Sequence, residues 1–185
     1  MGIVLGISIF LLLAIGSINS GEAEKVSSPS TKENAESNKD TKKESNTTEN
    51  DEQEKPPQIF KIGDEIKFDN AIYTANSVRT SKVAGILKPK EGNIYYIVDV
   101  TVENKSSESL NVSSLLMFKL GDSQGYSYNI TINTDAKGQV DGEIQAGKKL
   151  RGELTFEVPE SETKFELNVD PSIFGSGKFT VDLSK

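Results

Sequence analysis

Histidine, cysteine and tryptophan are all absent from the 185 residues. Without His, a Ser-His-Asp triad for acyl transfer cannot be assembled. Without Cys there is no thiolate nucleophile, no disulfide and no sulfur metal ligand. The missing Cys does not assign the chain to a reducing compartment, because a domain of ordinary size holds its core without staples. It does exclude a lipid-modified cysteine after the apolar head. A basic surplus is lacking too: the formal net charge is -7. Phosphate-backbone binding needs the opposite balance, so the expected partners include no nucleic acid, and an anionic membrane surface is equally unsuited.

What is present falls into three parts divided at Pro56-Pro57. Residues 1–20 form an apolar head whose uncharged stretch, residues 2–18, is at the lower limit for crossing a hydrocarbon core. Two readings stand: a secretory signal peptide, with Gly21-Glu22-Ala23 offering small residues before a cut after Ala23, or an uncleaved N-terminal anchor. The signal reading lacks the usual Lys or Arg at the start. Both place the remaining residues on the far side of the membrane, and membrane association is expected only through residues 2–18 if they are retained. Residues 21–58 carry six Lys against ten Asp and Glu, net -4. Their only non-proline apolar residues are Ala23, Val26 and Ala35, so the segment is expected to be a disordered polar linker. Asn46-Thr47-Thr48 matches a glycosylation sequon, a pattern common by chance in such composition.

Beyond the proline pair the period of apolar residues becomes two. Tyr96, Val98, Val100 and Val102 share one face, with Asp99, Thr101 and Glu103 opposite. Tyr95 and Ile97 add apolar groups to that second face, so this end of the strand is expected to be covered on both sides. Leu150, Gly152, Leu154, Phe156 and Val158 alternate with Arg151, Glu153, Thr155 and Glu157. Phe165, Leu167 and Val169 form a third run, and Phe179, Val181 and Leu183 a fourth. Weaker strands are expected at 66–68, 71–78, 110–112, 115–120 and 126–132, with turns between them. Residues 59–185 thus read as one all-β domain, an antiparallel β-sandwich with Greek-key connections, a small barrel being the alternative. The expected core includes Val98, Val100, Leu154, Phe156, Leu167 and Val181.

Several strings in this part are recognisable in their order: Phe60-Lys61-Ile62-Gly63-Asp64, Tyr73-Thr74-Ala75-Asn76-Ser77-Val78-Arg79 and Lys90-Glu91-Gly92-Asn93. The strand from Val98 to Asn104 and then Pro171-Ser172-Ile173-Phe174 follow. Together, over roughly residues 59–183, they resemble the bacterial DUF4352 family of secreted and membrane-anchored proteins. The resemblance implies an immunoglobulin-like sandwich, related to a secreted mycobacterial antigen, and an extracytoplasmic address. It implies no activity, cofactor or site residues. Many members carry a lipid-modified Cys directly after the apolar head, which this sequence lacks.

Carboxylates are the remaining candidates for chemistry. Asp135, Asp141 and Glu143 lie close in sequence, and the last two would share a face if they share a strand. Such a pair serves glycoside hydrolysis or Ca²⁺ binding, yet the spacing fits no EF-hand and acids near turns are usually solvated. Tyr126 and Tyr128 suggest an aromatic platform or, preferably, packing within the sheet. Ile173-Phe174 suggests a binding tip or, preferably, a plug at the end of the sandwich. Lys148, Lys149 and Arg151 read as a solvated hairpin end. No catalytic, cofactor or metal residue is assigned. The expected function is a non-catalytic surface or secreted module binding an extracellular protein, peptide or envelope polymer, with oligomeric state open. A carboxylate enzyme acting on envelope glycans and a structural envelope protein are the alternatives.

Overall fold

The computed structural model describes residues 23–26, 59–171 and 177–184. In it the period-two runs form two facing sheets. The first holds β1 (Glu24–Lys25), β3 (Ile66–Phe68), β4 (Ala71–Ser81), β5 (Asn93–Asn104) and β10 (Lys149–Pro159), in the order β1-β3-β4-β5-β10. The second holds β2 (Ile59–Lys61), β7 (Phe118–Asp122), β8 (Ser127–Tyr128), β11 (Phe165–Val169) and β12 (Phe179–Asp182), in the order β2-β12-β11-β7-β8. A separate pair, β6 (Leu110–Val112) and β9 (Gly142–Ile144), adds Val112 and Ile144 to the same core. Pairing is antiparallel except between β12 and β2, which run parallel. The fold is an immunoglobulin-like β-sandwich, as the alternation predicts; the unclosed order of each sheet removes the barrel.

The inner faces carry the core. Val98, Val100, Leu154, Phe156, Leu167 and Val181 are all buried in it, as expected from their parity. Around Phe179, the rings of Phe60 and Tyr73 pack edge-on at 5.9 and 5.5 Å between centroids. The second apolar face at the start of β5 is also realised. Tyr95 and Ile97 pack with Ala84 in a small outer cluster under the segment between β4 and β5.

Three local expectations are corrected. Residues 114–117 are a single helical turn, α1 (Ser114–Met117), and the strand begins only at Phe118. Asp141 accepts from both the amide and the hydroxyl of Ser114, at 2.7 Å each, and this holds the turn. The expected strand at 126–132 shrinks to β8 and an isolated bridge from Ile130 to Phe156. Residues 23–26, expected within the linker, instead dock on the fold. Ala23 is buried, Glu24 and Lys25 pair with Lys67 and Ile66, and the Val26 amide donates to the Glu65 carbonyl at 2.8 Å. An otherwise open β3 edge, and Asp64 2.7 Å from the Lys25 ammonium, supply the reason. The head, residues 27–58 and Ile173-Phe174 lie outside the described residues.

Gly152 explains how the β10 edge is covered. A Cβ there would lie 2.6 Å from the Gln139 nitrogen, and one on Gly138 would lie 2.3 Å from the Arg151 carbonyl. The two glycines let residues 137–139 lie directly on β10, where the Glu153 amide donates to Lys137 at 3.0 Å. Gly152→Ala is therefore expected to cost about 1–3 kcal/mol in urea unfolding, by forcing backbone apart. Lys25→Ala is expected to speed hydrogen exchange at the Val26 amide while changing global stability by less than about 1 kcal/mol.

Candidate functional site

The strands of the two sheets differ in length. β4, β5 and β10 run 11, 12 and 11 residues, whereas β11 and β12 run five and four. At the end where β5 begins, the long sheet therefore extends past the short one. Val78 and Thr80 of β4 lie on the same face as buried Tyr73 and Ala75 once the bulge between Ala75 and Ser77 is passed, and they oppose Val98 and Tyr96. Even so, Val78 is only half-buried and Thr80 is exposed. The uncovered space is a groove of about 590 Å³, within the range of sites that take small molecules or side chains.

Its walls come from both sheets. Val78, Arg79, Thr80, Ile94 and Tyr96 form one side; Lys164, Phe165, Leu183 and Ser184 form the other; Glu160, Glu162 and Thr163 complete the lining. Tyr96 and Phe165 stack obliquely, 4.6 Å between centroids, and Tyr128 meets Phe165 edge-on at 6.2 Å. Burial, reinforced by the Asp182 charge, pushes the Tyr96 phenol up to about 12. The phenol therefore stays neutral, and its hydroxyl reaches the Leu183 carbonyl only at 3.4 Å.

The acids of the groove are already engaged. Glu160 pairs with Lys82. Glu162 accepts from the amides of Lys164 and Thr163 at 2.9 Å and from Gln124 at 3.1 Å. Those bonds, the Lys164 amide first, hold its carboxyl below the ordinary range. A glycosidase acid needs the reverse, a carboxyl kept protonated near neutrality.

The acids singled out by sequence do not converge. Asp141 holds Ser114, Glu143 accepts from the Ser109 hydroxyl at 2.6 Å, and Asp135 is exposed in a turn beside Gly85. Among the described residues no three acidic groups gather as metal ligands would. Tyr126 and Tyr128 also part company. The amide of Tyr126 turns toward the Asp122 carboxylate and its ring is exposed, while the Tyr128 ring packs inward and its hydroxyl donates to Asp122 at 2.7 Å. Of the basic cluster, Arg151 forms a two-pronged pair with Asp99, and Gly147 turns the hairpin. The groove residues Val78, Thr80 and Ile94 carried no signal of their own in the sequence. Only a comparison of strand lengths would have found them.

On the outer face of the long sheet the charges are paired. Arg79 grips Glu153 at 3.0 and 2.7 Å, and Glu153 also accepts from the Lys137 amide. Arg151 holds the Asp99 carboxyl below its ordinary 3.8, and Arg79 does the same for Glu153 below 4.5. At Asp122, burial alone would raise the carboxyl, but the Tyr128 hydroxyl and the amides of Tyr126, Gln124 and Gly125 outweigh it. Groups depressed in the folded state contribute stability above their unfolded values and lose it as pH falls through the folded ones. The melting temperature should hold from about pH 7 to about pH 5 and fall below about pH 4. Asp99→Asn should flatten part of that fall in a thermal-melt series.

The DUF4352 family, described as a domain of unknown function, matches residues 60–179. The uncharacterized lipoprotein YjhA of Bacillus subtilis (strain 168) is 29% identical over 123 residues, 60% of this chain and 57% of that protein. The chain thus spans a little over half the length of this relative. The crystal structure of the yjhA protein from Bacillus subtilis superposes with a TM-score of 0.53 at 22% identity, over 68% of this chain and 99% of that one. An uncharacterized beta-sandwich protein from Clostridium difficile 630 gives 0.52 at 18% identity, over 74% and 100%. At these identities the likeness is one of fold.

Proposed function

The chain belongs to the DUF4352 family, and on that premise we propose that it is an extracytoplasmic, non-catalytic binding module whose ligand occupies the end groove. The observation that carries this reading is the groove itself: a recess of about 590 Å³, with Val78, Ile94, Tyr96, Phe165 and Leu183 as its apolar lining, opened by the overhang of one sheet beyond the other. Its carboxylates are occupied by Lys82, Gln124 and backbone amides, so it offers shape and apolar contact more than proton transfer. The extracytoplasmic address draws support from the apolar residues 2–18 and from the lipoprotein relative. The 185 residues hold no Cys, so the lipid attachment implied by that relative's name is not carried over.

A pull-down from the envelope fraction with the full chain, run beside Val78→Glu, tests the reading. A specific envelope component should be retained by the parent chain and depleted at least tenfold by the variant. Equal retention by both would place binding elsewhere. Release of soluble fragments from purified envelope polymer would instead identify a hydrolase.

A further inference from the structure

β4 has two edges, and only one is paired along its whole length. On one side it is bonded to β5 from Ala71 to Ser81. On the other, β3 covers only Ala71, Ile72 and Tyr73, and the Gly63 amide reaches the Ala75 carbonyl at 2.8 Å. Among the described residues no strand lies beside residues 76–81. This open stretch forms one margin of the groove. Leu183 and Ser184 also line the groove, and residues 62–64 cross between the sheets next to Ala75.

From this geometry we infer that the ligand is an extended polypeptide that adds to the long sheet as a strand beside residues 76–81. The inference rests on the groove being the binding site. An unpaired strand edge offers alternating N–H and C=O groups, and a polypeptide backbone is the polymer whose donors and acceptors repeat at the matching spacing. Side chains of an added strand alternate, so every second one would point between the sheets, into the space bordered by Val78, Tyr96, Phe165 and Leu183. Those four residues give the inward side an apolar border, with Arg79, Glu160, Glu162 and Lys164 elsewhere in the lining, so the side chains that meet it should be aliphatic or aromatic.

Two observations favour strand addition over simple filling of the groove. Edge strands are commonly guarded by a charged side chain. The candidate guard here, Arg79, lines the groove, but its guanidinium is tied across β5 to Glu153 by two bonds, away from the unpaired edge. The same sheet already takes a short strand on its adjoining edge, where Glu24 and Lys25 pair with β3. The polar linker does not suit the groove, since residues 27–58 contain one apolar residue besides proline, Ala35. The occupant is a separate chain.

The test is selection from a phage-displayed library of linear octapeptides on the full chain in detergent, counter-selected on Val78→Glu. Thr80→Glu serves as a second variant should Val78→Glu fail to fold. The expected winners carry apolar residues at every second position. N-methylation of alternate peptide amides should weaken binding at least 100-fold, and methylation of the intervening amides should have little effect. Winners that lose binding with Val78→Glu or Thr80→Glu but tolerate methylation at every amide would overturn strand addition and leave the groove as the site. Absence of enrichment over the variants, or winners indifferent to both substitutions, would overturn strand addition and the groove together.

Discussion

Unequal strand length is the constraint from which the other features of this domain follow. Strands of 11 and 12 residues extend over roughly 35–40 Å, whereas strands of four and five reach only about 13–17 Å. A short sheet cannot cover both ends of a long one. The uncovered end of β5 must still shield Tyr95 and Ile97 on its outer face, and the segment containing Ala84 does that. Covering that face brings Ile86 to the surface, fully exposed at the tip of the covering segment. On the inner face the equivalent space is left open, and the groove is the result.

The register of the long sheet depends on the same strands. Pairing of β5 with β4 and with β10 over nearly their whole length aligns two sets of outward charges. Arg79 reaches across β5 to Glu153, and Arg151 reaches back to Asp99, which Asn76 also contacts at 3.1 Å. Such partly exposed pairs contribute modestly to stability. Their stronger effect is on specificity: a one-residue slip would turn each charge toward the core.

Much of this was legible in the sequence because alternation reports burial directly. The four strongest runs became strands with the expected parity, and Tyr95 with Ile97 correctly announced a second covered face. The helical turn at Ser114 was not legible, because its cause is Asp141, distant in sequence and reaching it through hydrogen bonds. Tyr126 was misplaced because β8 is only two residues long and the Asp122 carboxylate captures the turn before it. The groove was hidden for a different reason. It is defined by what a second sheet fails to cover, and the exposure of Val78 and Thr80 depends on strands nearly a hundred residues away. Their local pattern was that of an ordinary core face.

The docking of residues 23–26 changes the topology of the polar tail. Residues 27–58 leave from the β1 edge of one sheet and return at β2, on the edge of the other. While β1 stays paired, their contour adds nothing to the separation between the head and the groove. Only Gly21 and Glu22 then stand between residues 1–20 and the buried Ala23, a spacer of about 10 Å. Unpairing β1 would add a contour of roughly 110 Å. A clasp of two residues thus sets the length of chain between residues 1–20 and the sandwich.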